Sequence, residues 1–231
     1  MREDRLADHL PDELPDELPG NPMHWAETWL RAATDDRVQR NPNAMTLATV
    51  GDDGKPSARV VLCKSFVADR GYVVLYTNYE SRKCAELDVN PHVSLVFHWD
   101  SIGRQIRIEG IAVRSPAAES DAYFATRDHG SQLGAWGSDQ SRTLSSRAAL
   151  RQQLADRGAE LERARQGADG LRRLPHWGGI RVWATAIELW IEGKDRVHDR
   201  ARWTRELHPG SEENADDAFA ATAWTGTRLQ P

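Results

Sequence analysis

Five residues late in the chain, Arg196-Val197-His198-Asp199-Arg200, have the types and spacing to do chemistry. They follow an apolar run, Ile187-Glu188-Leu189-Trp190-Ile191, and a turn, Glu192-Gly193-Lys194-Asp195. An apolar run, a glycine turn and then alternation predict a β-hairpin. Side chains alternate along a strand, so Arg196, His198 and Arg200 would share one face and Val197 and Asp199 the other. Two guanidiniums and an imidazole side by side repel unless an anion lies across them. The plainer reading is a solvated edge strand whose cations discourage aggregation.

Two other stretches gather anion-binding groups. Ser81 is placed to cap a helix over residues 80–87, with Arg82 and Lys83 in its first turn. The helix dipole disfavours cations there, and free N–H groups beside two cations make an anion site. A charged, solvated turn would carry the same letters. Further on, residues 116–128 read as a helix in which Tyr123 and Arg127 share a face. Gly130 ends it, and Ser131 is placed to cap a short helix over 132–136. Phenol, guanidinium and a capped helix start suit a phosphate. A Tyr–Arg packing pair on an exposed helix is the alternative.

These groups need strands and helices to place them. Residues 22–33 read as a helix with Trp25, Trp29 and Leu30 on one side. Strands are expected over 44–50, 58–64, 71–78, 92–99 and 104–114. In 58–64, Arg59, Val61 and Cys63 point one way and Val60, Leu62 and Lys64 the other. Lys64 then either snorkels at the rim or reaches into a pocket. In 104–114, Gln105 is a surface residue or a hydrogen-bond partner for a planar ring. Residues 145–167 read as an exposed, ion-paired helix. Trp177-Gly178-Gly179 reads as a loop into a strand over 180–183. The strand after Arg200 runs to Glu206, and 208–217 is an acidic loop. Seven or eight strands with hairpin connections predict a mainly β architecture, an antiparallel barrel with peripheral helices.

The tandem Leu10-Pro11-Asp12-Glu13-Leu14-Pro15-Asp16-Glu17-Leu18-Pro19 predicts a mobile arm over 1–21, ahead of a single domain over 22–231. Net charge is −5, which argues against nucleic acid as the main partner. No apolar run is long enough to span a bilayer, and the N-terminus has no secretory h-region. Cys63 and Cys84 have neither CxxC spacing nor a histidine cluster, so a reduced, cytoplasmic protein without a metal is expected. No GxGxxG, GxxxxGK[ST], HExxH or GxSxG occurs, which speaks against a Rossmann site, a P-loop, a zincin or a serine hydrolase.

A set of stretches in order now carries a resemblance: Met45–Val50, Arg59–Lys64, Tyr76-Thr77-Asn78, Ser81-Arg82-Lys83, Arg104-Gln105, Tyr123-Phe124, Ser131–Trp136, Gln140-Ser141 and Arg196–Arg200. Together they resemble the pyridoxine (pyridoxamine) 5′-phosphate oxidase family. The resemblance implies an FMN-binding split β-barrel, a homodimer with flavin at the subunit interface. It implies FMN ligands at Arg59, Val60, Val61, Leu62, Lys64, Tyr76, Thr77, Arg82, Lys83, Gln105, Gln140, Ser141, Trp190 and Arg200. It implies substrate ligands at Lys64, Tyr123, Arg127, Ser131, Arg196 and His198, with Arg196 and His198 over a phosphorylated pyridine ring as the catalytic pair. The implied reaction makes pyridoxal 5′-phosphate from the amine or alcohol and passes electrons to molecular oxygen, giving hydrogen peroxide.

The chain departs from that pattern in three places. The arm lacks the Arg- and Tyr-containing segment of bacterial members. Arg127-Asp128-His129-Gly130 lacks a proline and a second arginine, and the 208–217 loop is long. Phenazine-biosynthesis oxidases of the same fold resemble the chain in the Arg-x-His-x-Arg stretch and the Arg228-Leu229-Gln230-Pro231 end. Tyr123, Arg127 and Ser131 favour a phosphorylated substrate over theirs. A non-catalytic flavin- or haem-binding split barrel would not need Arg196 and His198 beside a phosphate cradle.

Overall fold

The computed structural model describes residues 9–164, 171–210 and 218–231. Helix α1 (Pro22–Asp35) starts where Asn21 accepts the Met23 N–H and Pro22 fits the first turn. Strands β1 (Ala44–Val50), β2 (Pro56–Leu62), β3 (Ser65–Val67) and β4 (Tyr72–Asn78) follow. Then come α2 (Arg82–Val89), β5 (His92–Trp99), β6 (Arg104–Arg114), α3 (Ala117–Thr126), α4 (His129–Gly137) and α5 (Arg147–Ala164). The chain closes with β7 (Trp177–Ile191), β8 (Asp199–Thr204), β9 (Leu207–Pro209), β10 (Phe219–Ala221) and β11 (Thr225–Leu229).

All strand pairings are antiparallel, and the main sheet runs β11-β8-β7-β6-β5-β1-β2. Strand β7 is its axis. One edge pairs with β6 along almost its whole length. The other edge pairs with β4 over Trp177–Trp183 and then changes partner to β8 over Ala186–Ile191. That change of partner is the split in the barrel. With neighbours on both edges and layers on both faces, β7 is buried almost end to end. β6 alternates instead: Ile106 and Ile108 point into the core while Gln105, Arg107 and Glu109 face outward.

Four expectations change. Trp177-Gly178-Gly179 is strand, not loop, and is continuous with Ile187–Ile191. Among the described residues the main sheet has nine strands and a separate pair makes eleven, more than the seven or eight expected, because three short pairings are added. Arg196 is not in a hairpin strand. Lys194–Arg196 form a 3₁₀ turn, Asp195 and Arg196 take positive φ, and β8 starts at Asp199. Arg196, His198 and Arg200 therefore do not line one strand face. Finally, residues 9–20 of the expected arm lie docked on the barrel, with Leu14 buried and Leu10 and Leu18 packed against the core. The leucines recur every fourth residue, and each gives the strap an apolar anchor. Residues 1–8, the end of the 145–167 helix and most of the acidic 208–217 loop lie outside the described residues.

Candidate active site

A cleft of about 940 Å³ opens between the outward face of β2, the β4–α2 turn and the α3–α4 pair. Val60, Leu62 and Lys64 come from β2 and its end, with Val60 69% exposed. Arg59 and Val61, on the other face of β2, also line it. Tyr76 and Thr77 come from β4, and Arg82 and Lys83 from the first turn of α2. Tyr123, Arg127 and Ser131 come from α3 and α4, and Gln140 and Ser141 from the loop after α4. Fourteen of the residues expected at a cofactor or substrate thus share one cleft.

One end of the cleft is built for an anion. Ser81 stands at the N-cap of α2, but its side chain makes no cap bond. Its hydroxyl instead accepts from Lys83 Nζ at 2.9 Å; Thr77 Oγ1 accepts at 2.8 Å and Gln140 Oε1 at 3.0 Å. Lys83 is 8% exposed and its ammonium meets only neutral oxygens, and burial pulls its pKa down. Such a charge gains from an anion at the adjacent helix start. Glu86, one turn along α2, tunes the neighbouring cations. It accepts from Arg82 Nε at 2.8 Å, from Arg59 Nη2 at 3.1 Å, and from the Thr49 and Ser57 hydroxyls. Burial acts to raise its pKa, but those hydrogen bonds outweigh it and hold the carboxyl at about 2. Three cations and one carboxylate leave two net positive charges, which match a phosphate dianion.

The other end holds the Tyr123–Arg127–Ser131 set. Tyr123 stacks on Tyr76 with ring centroids 3.8 Å apart, and Trp177 extends the stack. Arg127 lies 4.6 Å from the centre of the Trp177 ring. Its Nη1 is buried with no hydrogen-bond partner, and burial lowers its pKa. An unpaired guanidinium nitrogen beside a cleft is costly unless a ligand completes it. Ser131 does not cap α4 as expected. Asp128 does, taking the Ser131 N–H at 2.8 Å and its hydroxyl at 2.6 Å. Aspartate and serine cap equally well, and with Asp128 in the cap position Ser131 becomes the third helical residue. Those bonds hold the Asp128 carboxyl below its usual range.

The remaining expected residues sit elsewhere. Gln105 pairs with Trp190 across β6 and β7, and Trp190 pairs with Arg200 across β7 and β8. The His198 ring packs on Trp190 at 4.6 Å. Arg200 donates to Glu188 through Nε and Nη2 at 3.1 and 2.9 Å, and to the Gln230 carbonyl at 3.0 Å. Arg196 is exposed in its turn. This group lies at the opposite end of β7 from Trp177, roughly 43 Å of strand path away. One chain therefore does not bring Arg196 and His198 to Tyr123 and Arg127.

Sequence reasoning missed three residues that shape the cleft. Trp177 was hidden by two following glycines. Glu86 was signalled only by its i, i+4 spacing from Arg82. Asp128 was signalled by Ser131 three residues on.

The comparisons with known proteins agree with this geometry. The pyridoxamine 5′-phosphate oxidase family matches residues 31–157, and the pyridoxine 5′-phosphate oxidase C-terminal dimerisation region matches 177–231. The pyridoxine/pyridoxamine 5′-phosphate oxidase of Paraburkholderia phytofirmans is 46% identical over 211 residues, covering 91% of this chain and 89% of that one. Its counterpart in Rubrobacter xylanophilus is 47% identical over 207 residues, covering 90% and 83%. Among solved structures, PhzG from Burkholderia lata 383 in complex with tetrahydrophenazine-1-carboxylic acid superposes with a TM-score of 0.77. It is 33% identical and covers 94% of this chain and 95% of that one. A pyridoxamine 5′-phosphate oxidase-related, FMN-binding protein from Nostoc punctiforme shares the fold at a TM-score of 0.64 and 13% identity, covering 90% and 97%. The split barrel, the cleft with its two groups of cationic residues and these matches make the chain a member of the pyridoxamine 5′-phosphate oxidase family.

Proposed function

We propose that this protein binds FMN and oxidises pyridoxamine 5′-phosphate, pyridoxine 5′-phosphate or both to pyridoxal 5′-phosphate, with molecular oxygen as acceptor. The observation that carries the reading is the cleft itself. The Lys83 ammonium, held only by neutral oxygens, stands at one end, and the buried, unpaired Arg127 Nη1 stands at the other. Two phosphates, one on the cofactor and one on the substrate, would complete both. Arg59, Arg82, Lys83 and the α2 start would hold the flavin phosphate. Lys64, Tyr123, Arg127 and Ser131 would hold the substrate phosphate. When bound, FMN supplies acceptance of a hydride from the substrate C4′ carbon and delivery of two electrons to oxygen, giving hydrogen peroxide.

The chain's own residues would do the positioning. Arg196 and His198 would cover the pyridine ring and oppose charge at its oxygen. They must come from a second copy, since one chain holds them at the far end of β7. The match of residues 177–231 to a dimerisation region supports such a homodimer. Gln105, Trp190 and Arg200 would reach the flavin in the same assembly. The His198 Nδ1 accepts the Gly193 N–H at 3.2 Å, so the proton sits on Nε2, which is left to donate. Cys63 and Cys84 are free and buried thiols, which fits a reducing compartment such as the cytoplasm. Among the described residues no helix is long and apolar enough to cross a membrane.

Asp128 favours a second reading, a same-fold oxidase of a ring carboxylate. Its charge beside Arg127 offsets part of the attraction for a dianion. Mixing the purified yellow protein with pyridoxamine 5′-phosphate, pyridoxine 5′-phosphate or tetrahydrophenazine-1-carboxylic acid separates the readings. Pyridoxal 5′-phosphate absorbance with equimolar peroxide is expected from the amine or alcohol ester. Oxidation of the carboxylic acid alone would overturn the first reading, and no oxidation of any would overturn both.

A further inference from the structure

The docked N-terminal strap is tied to β8, which follows the Arg196–His198 turn, and to its neighbour β11. The Leu14 N–H donates to Asp199 Oδ2 at 2.6 Å. Arg228 of β11 donates through Nη1 to Asp199 Oδ1 at 2.9 Å and through Nη2 to the Leu14 and Pro15 carbonyls at 3.1 and 2.7 Å. Arg104 Nη2 reaches the Pro11 carbonyl at 2.8 Å, and the Trp203 indole N–H reaches the Pro19 carbonyl at 2.9 Å. The strap thus crosses β6, β8 and β11, and the buried Leu14 side chain seats it.

Asp199 is the crossing point. Both of its oxygens are engaged, one by the strap and one by Arg228. It opens β8 opposite Ile191, directly between His198 and Arg200. The turn before it needs holding. Asp195 and Arg196 have φ of 56° and 66°, a region that residues with a Cβ seldom occupy and keep only where their surroundings fix them. A Cβ on Gly193 would stand 1.6 Å from the Val197 carbonyl oxygen, so the turn closes tightly on itself. Arg200 has its own anchors in Glu188 and Gln230 and does not depend on this bond.

We infer that the strap from Leu10 to Pro19 is a brace for the Arg196–His198 turn, acting through the Asp199–Arg228 latch, and that Asp199 is a positioning residue for the substrate-ring site. The strap is therefore a fixed buttress and not a closing lid. The inference rests on the proposed role of Arg196 and His198 at the substrate, and one readout below does not use that role.

The test uses Asp199→Ala and Asp199→Asn in the full-length holoenzyme. With pyridoxamine 5′-phosphate, Asp199→Ala is expected to lower kcat/KM about tenfold, the worth of one charge-assisted hydrogen bond. FMN affinity should stay within about twofold, and Asp199→Asn, which keeps one acceptor, should fall between. The second readout is the His198 tautomer, followed by ¹⁵N NMR of histidine-labelled protein and assigned with His198→Gln. The wild type should show a single Nε2–H form, and Asp199→Ala a mixture as the Gly193 bond loosens. Should Asp199→Ala fail to fold, Leu14→Pro removes the N–H that the latch accepts together with the buried leucine that seats the strap, and is read the same way. A folded variant with wild-type tautomer and wild-type kcat/KM overturns the brace. If the wild type oxidises neither pyridoxamine 5′-phosphate nor pyridoxine 5′-phosphate, the proposed function falls and the tautomer alone decides: a mixture keeps the brace, a single form removes it.

Discussion

The two ends of β7 hold their functional side chains in opposite ways. At the Trp177 end, the cleft residues are interlocked: Lys83 with three oxygens, Glu86 with two arginines, Tyr76 with Tyr123 and Trp177. At the Trp190 end, Arg196 sits exposed on a short turn of unusual backbone, held from behind by Asp199. The first end is suited to gripping a charged group that stays, such as a cofactor phosphate. The second is suited to meeting a ring that comes and goes. Under the proposed function, tight binding and turnover fall to different elements, and the contrast can be attacked from either side.

The largest effect should come from the exposed end. Arg196→Ala is expected to lower turnover of pyridoxamine 5′-phosphate by about 10²-fold or more while flavin stays bound, since it removes an orienting charge and leaves both phosphate cradles whole. Unchanged turnover in a flavin-loaded variant would erase the contrast. Next comes the gripping end. Lys83→Met should weaken FMN binding by about 10- to 100-fold, because the ammonium no longer donates a charge-assisted hydrogen bond to the phosphate. The kcat of the FMN-saturated protein should change little. Fluorescence titration of the apoprotein with FMN measures the affinity.

A third expectation concerns acid. Glu86 is held down to about 2 by its donors, so the folded state keeps it ionised where the unfolded chain takes up a proton. Its stabilising contribution is complete above the ordinary glutamate value of about 4.3 and is lost as pH falls from there towards 2. Glu86→Gln should flatten that part of the denaturation profile, and an identical profile would show that Glu86 contributes nothing there. The smallest effect is Asp128→Asn. The amide oxygen can still cap α4, but the negative charge beside Arg127 is gone. KM for a phosphorylated substrate should fall about two- to fivefold with kcat unchanged, the range of an exposed charge pair.

The strands with one face in and one face out were legible in the sequence almost to the residue. β1, β5 and β6 have the expected bounds because alternation of apolar and polar side chains is a local signal. The start of β7 was not. Gly178 reads as a turn former, yet a Cβ there would stand 2.2 Å from the Tyr79 hydroxyl. The glycine makes room for a side chain that lies about a hundred residues away in sequence, as the Tyr79 bond to the Gly179 carbonyl shows. The Arg196 turn failed for a related reason. Its letters alternate like a strand, but bonds from Val197 to Lys194 and from Gly193 to His198 fold it tightly. The resemblance supplied the expected site residues, and the structure adds what no motif carried: that they fall into two groups on one chain, with Glu86 and Asp128 adjusting the charge of the cleft.

The change of partner along β7 has one more consequence. A single pleated ribbon carries Trp177 at one end and Trp190 at the other, so its pitch fixes their separation on the chain. Surface loops can grow without disturbing that spacing. A residue inserted into the ribbon itself would turn every later side chain to the opposite side. The spacing of the two groups on each chain is therefore written into one continuous strand, and variation has to happen around it.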